Sequence, residues 1–327
     1  MENAHPKIRI LLLGVLILLA GVVSPAQGGS RIPSSVKGVY LHDLATFTGT
    51  IPYSWPRVHV DTRQGEIYVV NQNLVQIFEG NGMEIYQFGD SLNLGSLADL
   101  VVESDGNILL LSHRWSEAKL RVDYEILRCN YRGEPISKVE LRNLPARFSE
   151  FVPNRMVLQG ENLYLANLST MMVVVTDTNG LFRDGHDILP LLELHEQDRE
   201  GAMMVGFSVD RESRILFSVP PLFRVYRFTP ATREIAYFGK AGGAPGAFNV
   251  IAGVTTDSRG NILVVDRLKS AVLAFDKGFN FVGQFGSRGY KPGQFIVPND
   301  IVFDAQDRVY ITQAGKRGVS VFRLQYN

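Results

Sequence analysis

The strongest constraint in this sequence is that its last third repeats itself. Pro245-Gly-Ala-Phe248 leads into Ala252-Gly-Val-Thr-Thr-Asp257, Gly260-Asn-Ile-Leu-Val-Val-Asp266, Val272-Leu-Ala-Phe-Asp276 and Phe281-Val-Gly-Gln-Phe-Gly286. Pro292-Gly-Gln-Phe295 then leads into Pro298-Asn-Asp-Ile-Val-Phe-Asp304, Arg308-Val-Tyr-Ile-Thr312 and Val319-Ser-Val-Phe322. Each unit is a set of short β-rich runs separated by Gly, Asp and Asn turn signals, the pattern of one antiparallel sheet.

Four weaker copies lie upstream, centred on Arg57-Val-His-Val-Asp61, Asp99-Leu-Val-Val-Glu103, Arg155-Met-Val-Leu-Gln159 and Gly206-Phe-Ser-Val-Asp210. The turn positions Asp61, Glu103, Gln159, Asp210, Asp257 and Asp304 fall 42, 56, 51, 47 and 47 residues apart. That period suits one four-stranded propeller blade per repeat, so six repeats predict an all-β, six-bladed propeller. The last unit ends after three strands at Leu324, while Gly38 to Leu44 form an unassigned strand before the first unit. This N-terminal strand is expected to complete the last blade and close the ring. Closure leaves no unpaired inner edge, which suits a chain whose single cysteine, Cys129, permits no internal disulfide. Cys129 sits in an apolar alternating stretch and reads as a buried small hydrophobe.

The Pro-Gly-x-Phe lead-in, the Val-x-x-Asp turn, the Gly-Asn-Ile-x-Val strand and the Val-x-x-Phe strand resemble NHL repeats over about residues 38 to 324. The resemblance is specific in the last two units and degenerate in the second to fourth. It implies a propeller used more often for scaffolding and recognition than for chemistry. NHL-like relatives that are enzymes include amidating lyases, which hold zinc with several His at the channel. Here only His59 lies on an inner strand, and its equivalents are Val101, Val157, Ser208, Thr255 and Val302. Three such protein ligands are not present.

Lys7 and Arg9 precede fourteen uncharged residues, Ile10 to Val23, and Ser24-Pro25-Ala26 supplies small residues for cleavage. The segment reads as a secretory signal over residues 1–26, too short for the ~20 residues of a spanning helix, followed by a linker over 27–37 and one propeller over 38–327. No stable membrane span is expected after cleavage, and the product is expected outside the cytoplasmic membrane. Lys and Arg together number 33, as do Asp and Glu, for a net charge of zero. Without a basic field or a Lys/Arg run, nucleic acid is not the expected partner.

In a propeller the blade-to-blade connections share one face with the hairpins joining second to third strands. That face holds Ala45 to Trp55, the hairpin Ser112 to Asp123, and the insert Asp184 to Met203. Binding is expected there, since loops on a rigid scaffold carry function. The innermost strands should begin at Arg57, Asp99, Arg155, Gly206, Gly253 and Asp300, ringing the channel mouth. Alternation of Asp300, Arg57, Asp99 and Arg155 reads either as an anion clamp or as salt bridges between neighbouring blades, and the two glycines as an open arc. Trp55 and Trp115, with Tyr53 and Tyr290, are candidate aromatic anchors, and His59 a candidate channel residue. His113, His186 and His195 lie in loops of the same face at spacings that fit no metal motif. No cofactor motif is present, and the expected partner is an envelope or extracellular protein or peptide. The alternative is a metal-dependent lyase or lactonase with its site at the channel mouth, drawing on Asp99, Asp300, Asn154 and Asn299.

Overall fold

The computed structural model describes residues 35–46, 49–50, 56–117, 120–192, 194–314 and 318–327. The expected signal segment, and the candidates Tyr53 and Trp55, lie outside the described residues.

Six four-stranded antiparallel sheets form the body. Their innermost strands contact one another in sequence order, and the last contacts the first, so the sheets are blades of a closed ring. Numbered by their inner strands, blade 1 begins with Arg57–Asp61, blade 2 with Ser96–Val102, blade 3 with Arg155–Gln159, blade 4 with Phe207–Val209, blade 5 with Ile251–Thr256 and blade 6 with Pro298–Phe303.

The sequence dictates this arrangement through burial. A blade is sandwiched between two neighbours, so its middle strands need apolar side chains on both faces. Ile262–Asp266 and Ala271–Phe275 are buried at every position. The lead-in aromatics Phe248 and Phe295 are fully buried in two such inter-blade cores. The turn acids earn their repetition by capping the first hairpin of a blade. Asp257 Oδ1 accepts from the backbone N–H groups of Arg259 and Asn261, and Asp304 Oδ1 from those of Gln306 and Arg308.

The N-terminal strand closes the ring as expected. It runs over Val36–Asp43, starting two residues before Gly38, and pairs antiparallel with Val319–Tyr326 at the outer edge of blade 6. The Ser35 N–H donates to the Asn327 carbonyl at 3.1 Å. Arg308 latches the seam, with Nε on Asp304 Oδ2 at 2.6 Å and Nη1 on the Gly80 carbonyl of blade 1 at 2.7 Å.

Two loops expected from the sequence are differently built. Much of the stretch from Ser112 to Asp123 is strand: Ile108–Ser116 and Arg121–Cys129 pair through to Ser116 opposite Arg121. Asp184 to Asp187 belong to the outer strand of blade 3, Phe182–Asp187, so the insert begins at Ile188. Ile188, Leu192, Ala202 and Met204 are buried in the core shared by blades 3 and 4. The insert carries a 3-10 turn over Leu189–Leu192 and a short α-helix over Glu196–Arg199. The insert is a packed connection, because its apolar residues supply part of that core.

Candidate functional site

The inner strands begin at the channel mouth and bring Arg57, Asp99, Arg155 and Asp300 together. Arg155 Nη1 lies 3.2 Å from Asp300 Oδ2 and 3.6 Å from Asp99 Oδ2, and Arg57 Nη1 lies 3.5 Å from Asp300 Oδ2. Both arginines face carboxylates, so the four groups form an internally neutral ion-pair network rather than an open clamp. The pairing is not simply between neighbours: Arg155 in blade 3 reaches Asp300 in blade 6, on the opposite side of the ring.

Backbone groups complete the carboxylates. Asp99 Oδ1 accepts from the Leu100 N–H at 3.0 Å and Oδ2 from the Met156 N–H at 2.9 Å. Asp300 Oδ1 accepts from the Ile301 N–H at 3.1 Å. Burial alone would raise both carboxyls. It prevails at Asp99, whose pKa lies above the ordinary value despite Arg155 and Arg57. At Asp300 the two arginines and the Ile301 N–H outweigh burial and hold the pKa below it. Burial also weakens the Arg57 proton, helped by the like charge of Arg155, whereas Asp300 and Asp99 overcome burial at Arg155 and tighten its proton. Arg57 keeps 26% of its side chain exposed, against 6% for Arg155.

The arc at Gly206 and Gly253 is not open. A Cβ on Gly206 would meet the Ala252 carbonyl oxygen at 2.5 Å, and one on Gly253 the Asn299 carbonyl oxygen at 2.8 Å. The glycines let the inner strands of blades 4, 5 and 6 crowd together, and backbone fills the space. Ser218 Oγ joins this side, accepting from the Gly206 N–H at 2.8 Å and donating to the Ala252 carbonyl at 2.6 Å.

Below the mouth, His59 lines the channel with its equivalents Val157, Ser208, Thr255 and Val302. Val101, the remaining equivalent, is instead fully buried between blades 2 and 3. Burial pushes the His59 pKa down to about 4, so the imidazole is neutral at ordinary pH. Ser208 and Thr255 were visible in the sequence only as departures from a zinc set, yet their place two residues before the turn acids marks them as channel residues.

The histidines expected in loops do not converge, and two of them, His113 and His186, stand on strands. His113 Nε2 lies 2.8 Å from the Pro153 carbonyl oxygen, which makes it the N–H donor. His186 is buried edge-on against Phe228, and burial lowers its pKa. His195 is exposed at the start of the short helix. Asn154 Oδ1 accepts from the Leu168 N–H, and Asn299 Oδ1 from Arg267 Nη2. Among the described residues, no group of three or more His, Cys, Asp or Glu is placed to hold a metal ion. Cys129 is fully buried, and burial pushes its thiol up to about 11, away from nucleophilic use. Trp115 stands exposed on the long hairpin of blade 2.

No curated protein matches the chain. The family described as "6-bladed beta-propeller" matches residues 251–327, the two most regular repeats. Among solved structures, a protein of unknown function from Bacteroides thetaiotaomicron aligns at 15% identity and TM-score 0.59, covering 89% of this chain and 76% of its own. An auxiliary nutrient binding protein from Bacteroides ovatus aligns at 13% identity and TM-score 0.57, covering 89% and 77%. Virginiamycin B lyase from Staphylococcus aureus aligns at 12% identity and TM-score 0.53, covering 89% and 99%. At these identities the likenesses show the fold, and the fold is a six-bladed β-propeller.

Proposed function

We propose that this chain is an exported, noncatalytic propeller of NHL type that binds a protein or peptide of the cell envelope or exterior through its loop face. The observation that carries the reading is the hairpin of blade 2. Its strands run nine residues each, against five in Ile262–Asp266 and Ala271–Phe275 of blade 5. The extension carries Trp115 and Val122 as a directly opposed cross-strand pair, exposed to 62% and 47%, with Leu120 at 77%. A tryptophan on a paired hairpin strand beside two aliphatic side chains has the composition of an interface anchor, because it offers large apolar area at small entropic cost. The ion pairs at the mouth leave Arg57 as the polar, partly exposed element of the same face. Asp300 pairs with it at 3.5 Å. Lys7, Arg9, the uncharged stretch to Val23 and the small residues to Ala26 support export.

The test is a photo-crosslinking amino acid placed at Trp115 and, as the opposite-face control, at Asp105, in cells that make the full chain. The reading expects a discrete adduct from position 115 that is lost on Val122→Asp, and none from position 105. Equal labelling from both faces, or none, overturns it. Elemental analysis of chelator-free protein gives the opposing outcome. One metal per chain, lost on His59→Ala, would transfer the function to a channel enzyme.

A further inference from the structure

Beneath the ion pairs lies a cavity of about 280 Å³. Its lining mixes apolar side chains, Met156, Val157, Ile301 and Val302 among them, with polar ones that include His59, Ser208, Thr255 and the network's own Asp99 and Arg155. Ser208 and Arg155, two residues of that lining, each carry a buried polar atom with no hydrogen-bond partner, Oγ and Nε, the Arg155 side chain being only 6% exposed. The His59 ring contacts Tyr68 edge-on and makes no hydrogen bond among the described residues. A buried polar atom left unpaired is destabilising, so two beside one space are a costly arrangement unless something there answers them.

The charge arrangement restricts what can answer. The two arginines and two aspartates at the mouth end, of which Asp99 and Arg155 line the cavity itself, sum to zero, and the imidazole beside them is neutral. An ion entering here would give up its hydration and meet no net opposing charge. The volume lies near the lower end of the ~300–1,000 Å³ of ligand pockets, which sets a small size. A neutral imidazole offers one donor and one acceptor, and the Ser208 hydroxyl can turn to do either.

Access is also restricted. The Arg155 to Asp300 bridge crosses the mouth on the loop face. At the other end a groove of about 310 Å³ shares His59, Val60, Thr62, Leu158 and Gln159 with the cavity and continues to Asp61 and Gly160 at the strand turns. The passage therefore opens on the turn face, away from the hairpin of blade 2.

We propose that the channel is a binding site for a small neutral molecule with an apolar body and one hydroxyl or carbonyl end, which enters from the turn face and places its polar end among His59, Ser208 and Thr255. This site is separate from partner binding on the loop face and does not depend on it.

The probes are p-cresol, which has the stated chemistry, and benzoate, its charged counterpart of similar size. Histidine-labelled full chain is titrated by nuclear magnetic resonance, with the His59 ring signals assigned by His59→Leu. The expected result is a saturable movement of the His59 signals by p-cresol and none by benzoate. Ser208→Ala should weaken p-cresol about fivefold, the loss of one neutral hydrogen bond. Val302→Phe should abolish binding by filling the cavity. Thr62→Trp, at an exposed position on the turn-face rim, should slow p-cresol exchange without disturbing the core, and it keeps the test decisive if Val302→Phe does not fold. His59 signals indifferent to p-cresol, equal binding of benzoate, or unchanged exchange in Thr62→Trp would overturn the proposal.

Discussion

Arg155 of blade 3 and Asp300 of blade 6 meet across the channel mouth, Nη1 to Oδ2 at 3.2 Å, and tie together blades that share no other side of the ring. Asp300 also receives Arg57, and Arg155 also reaches Asp99, so one bridge joins four blades. The network closes the mouth and fixes the level at which the inner strands stand relative to one another.

Removing Arg155 leaves two buried carboxylates facing each other without their shared cation. Arg155→Met should therefore cost about 3–5 kcal/mol of stability, the scale for breaking a buried pair from one side. Adding Asp300→Asn should recover part of the loss. Urea unfolding of wild type, single and double variants checks both steps, and a double variant weaker than the single would contradict the pairing.

His59 predicts a specific acid dependence. Its folded pKa is about 4 against 6.5 for the free side chain, because burial disfavours the charged ring. Below pH 6.5 the unfolded chain takes up a proton that the folded chain refuses, so stability falls between pH 6.5 and about 4, by roughly 3 kcal/mol in total at 1.36 kcal/mol per unit. The low pKa of Asp300 acts in the same direction at lower pH, its stabilisation being lost as pH falls through the folded value, while the raised pKa of Asp99 acts oppositely. The contribution of His59 is isolated by subtracting the stability profile of His59→Leu from that of wild type. A flat difference between pH 6.5 and 4 would refute it.

Ring closure depends on Val36–Asp43. A chain lacking residues 36 to 43 should expose the outer edge of Val319–Tyr326 and lose its single cooperative thermal transition. Gly38→Leu should act in the same direction less severely, since a Cβ there would lie 2.4 Å from the Phe285 ring, which must move. Circular dichroism melting and amide exchange at Val319–Tyr326 measure both. A truncated chain with an unchanged melt would show that the strand is not the closure.

The glycines of the mouth should resist substitution for steric reasons. Gly253→Ala puts a methyl 2.8 Å from a carbonyl oxygen and 2.9 Å from the Asp300 Cα, and backbone cannot step aside as a flexible side chain can. A loss of about 1–3 kcal/mol is expected, the range for overpacking a filled space. Gly243→Ala, with nothing within 4 Å, is the control and should be near neutral. Comparable losses at both positions would contradict the close approach of blades 5 and 6.

The blade count, the order of the strands, the turn acids and the partner of the N-terminal strand are all legible along the chain. Each follows from local alternation and a spacing that recurs along the chain, and burial between blades enforces the same pattern on every unit. The sequence also placed Arg57, Asp99, Arg155 and Asp300 at one level, because they occupy the same position before each turn. What those residues do there is set by how the ring closes in space. Neighbours in sequence order predicted pairing from blade to blade, whereas a guanidinium long enough to cross a narrow channel made the Arg155 to Asp300 bridge possible. Likewise Gly206 and Gly253 looked like gaps along the chain and are contacts in space, because the missing Cβ is taken up by the neighbouring backbone. The packing of the insert after Ile188 was equally hidden, since its buried face is created by blades 3 and 4 and not by its own periodicity. Repetition is written along the chain, but the distance across a channel is set by how tightly the blades close.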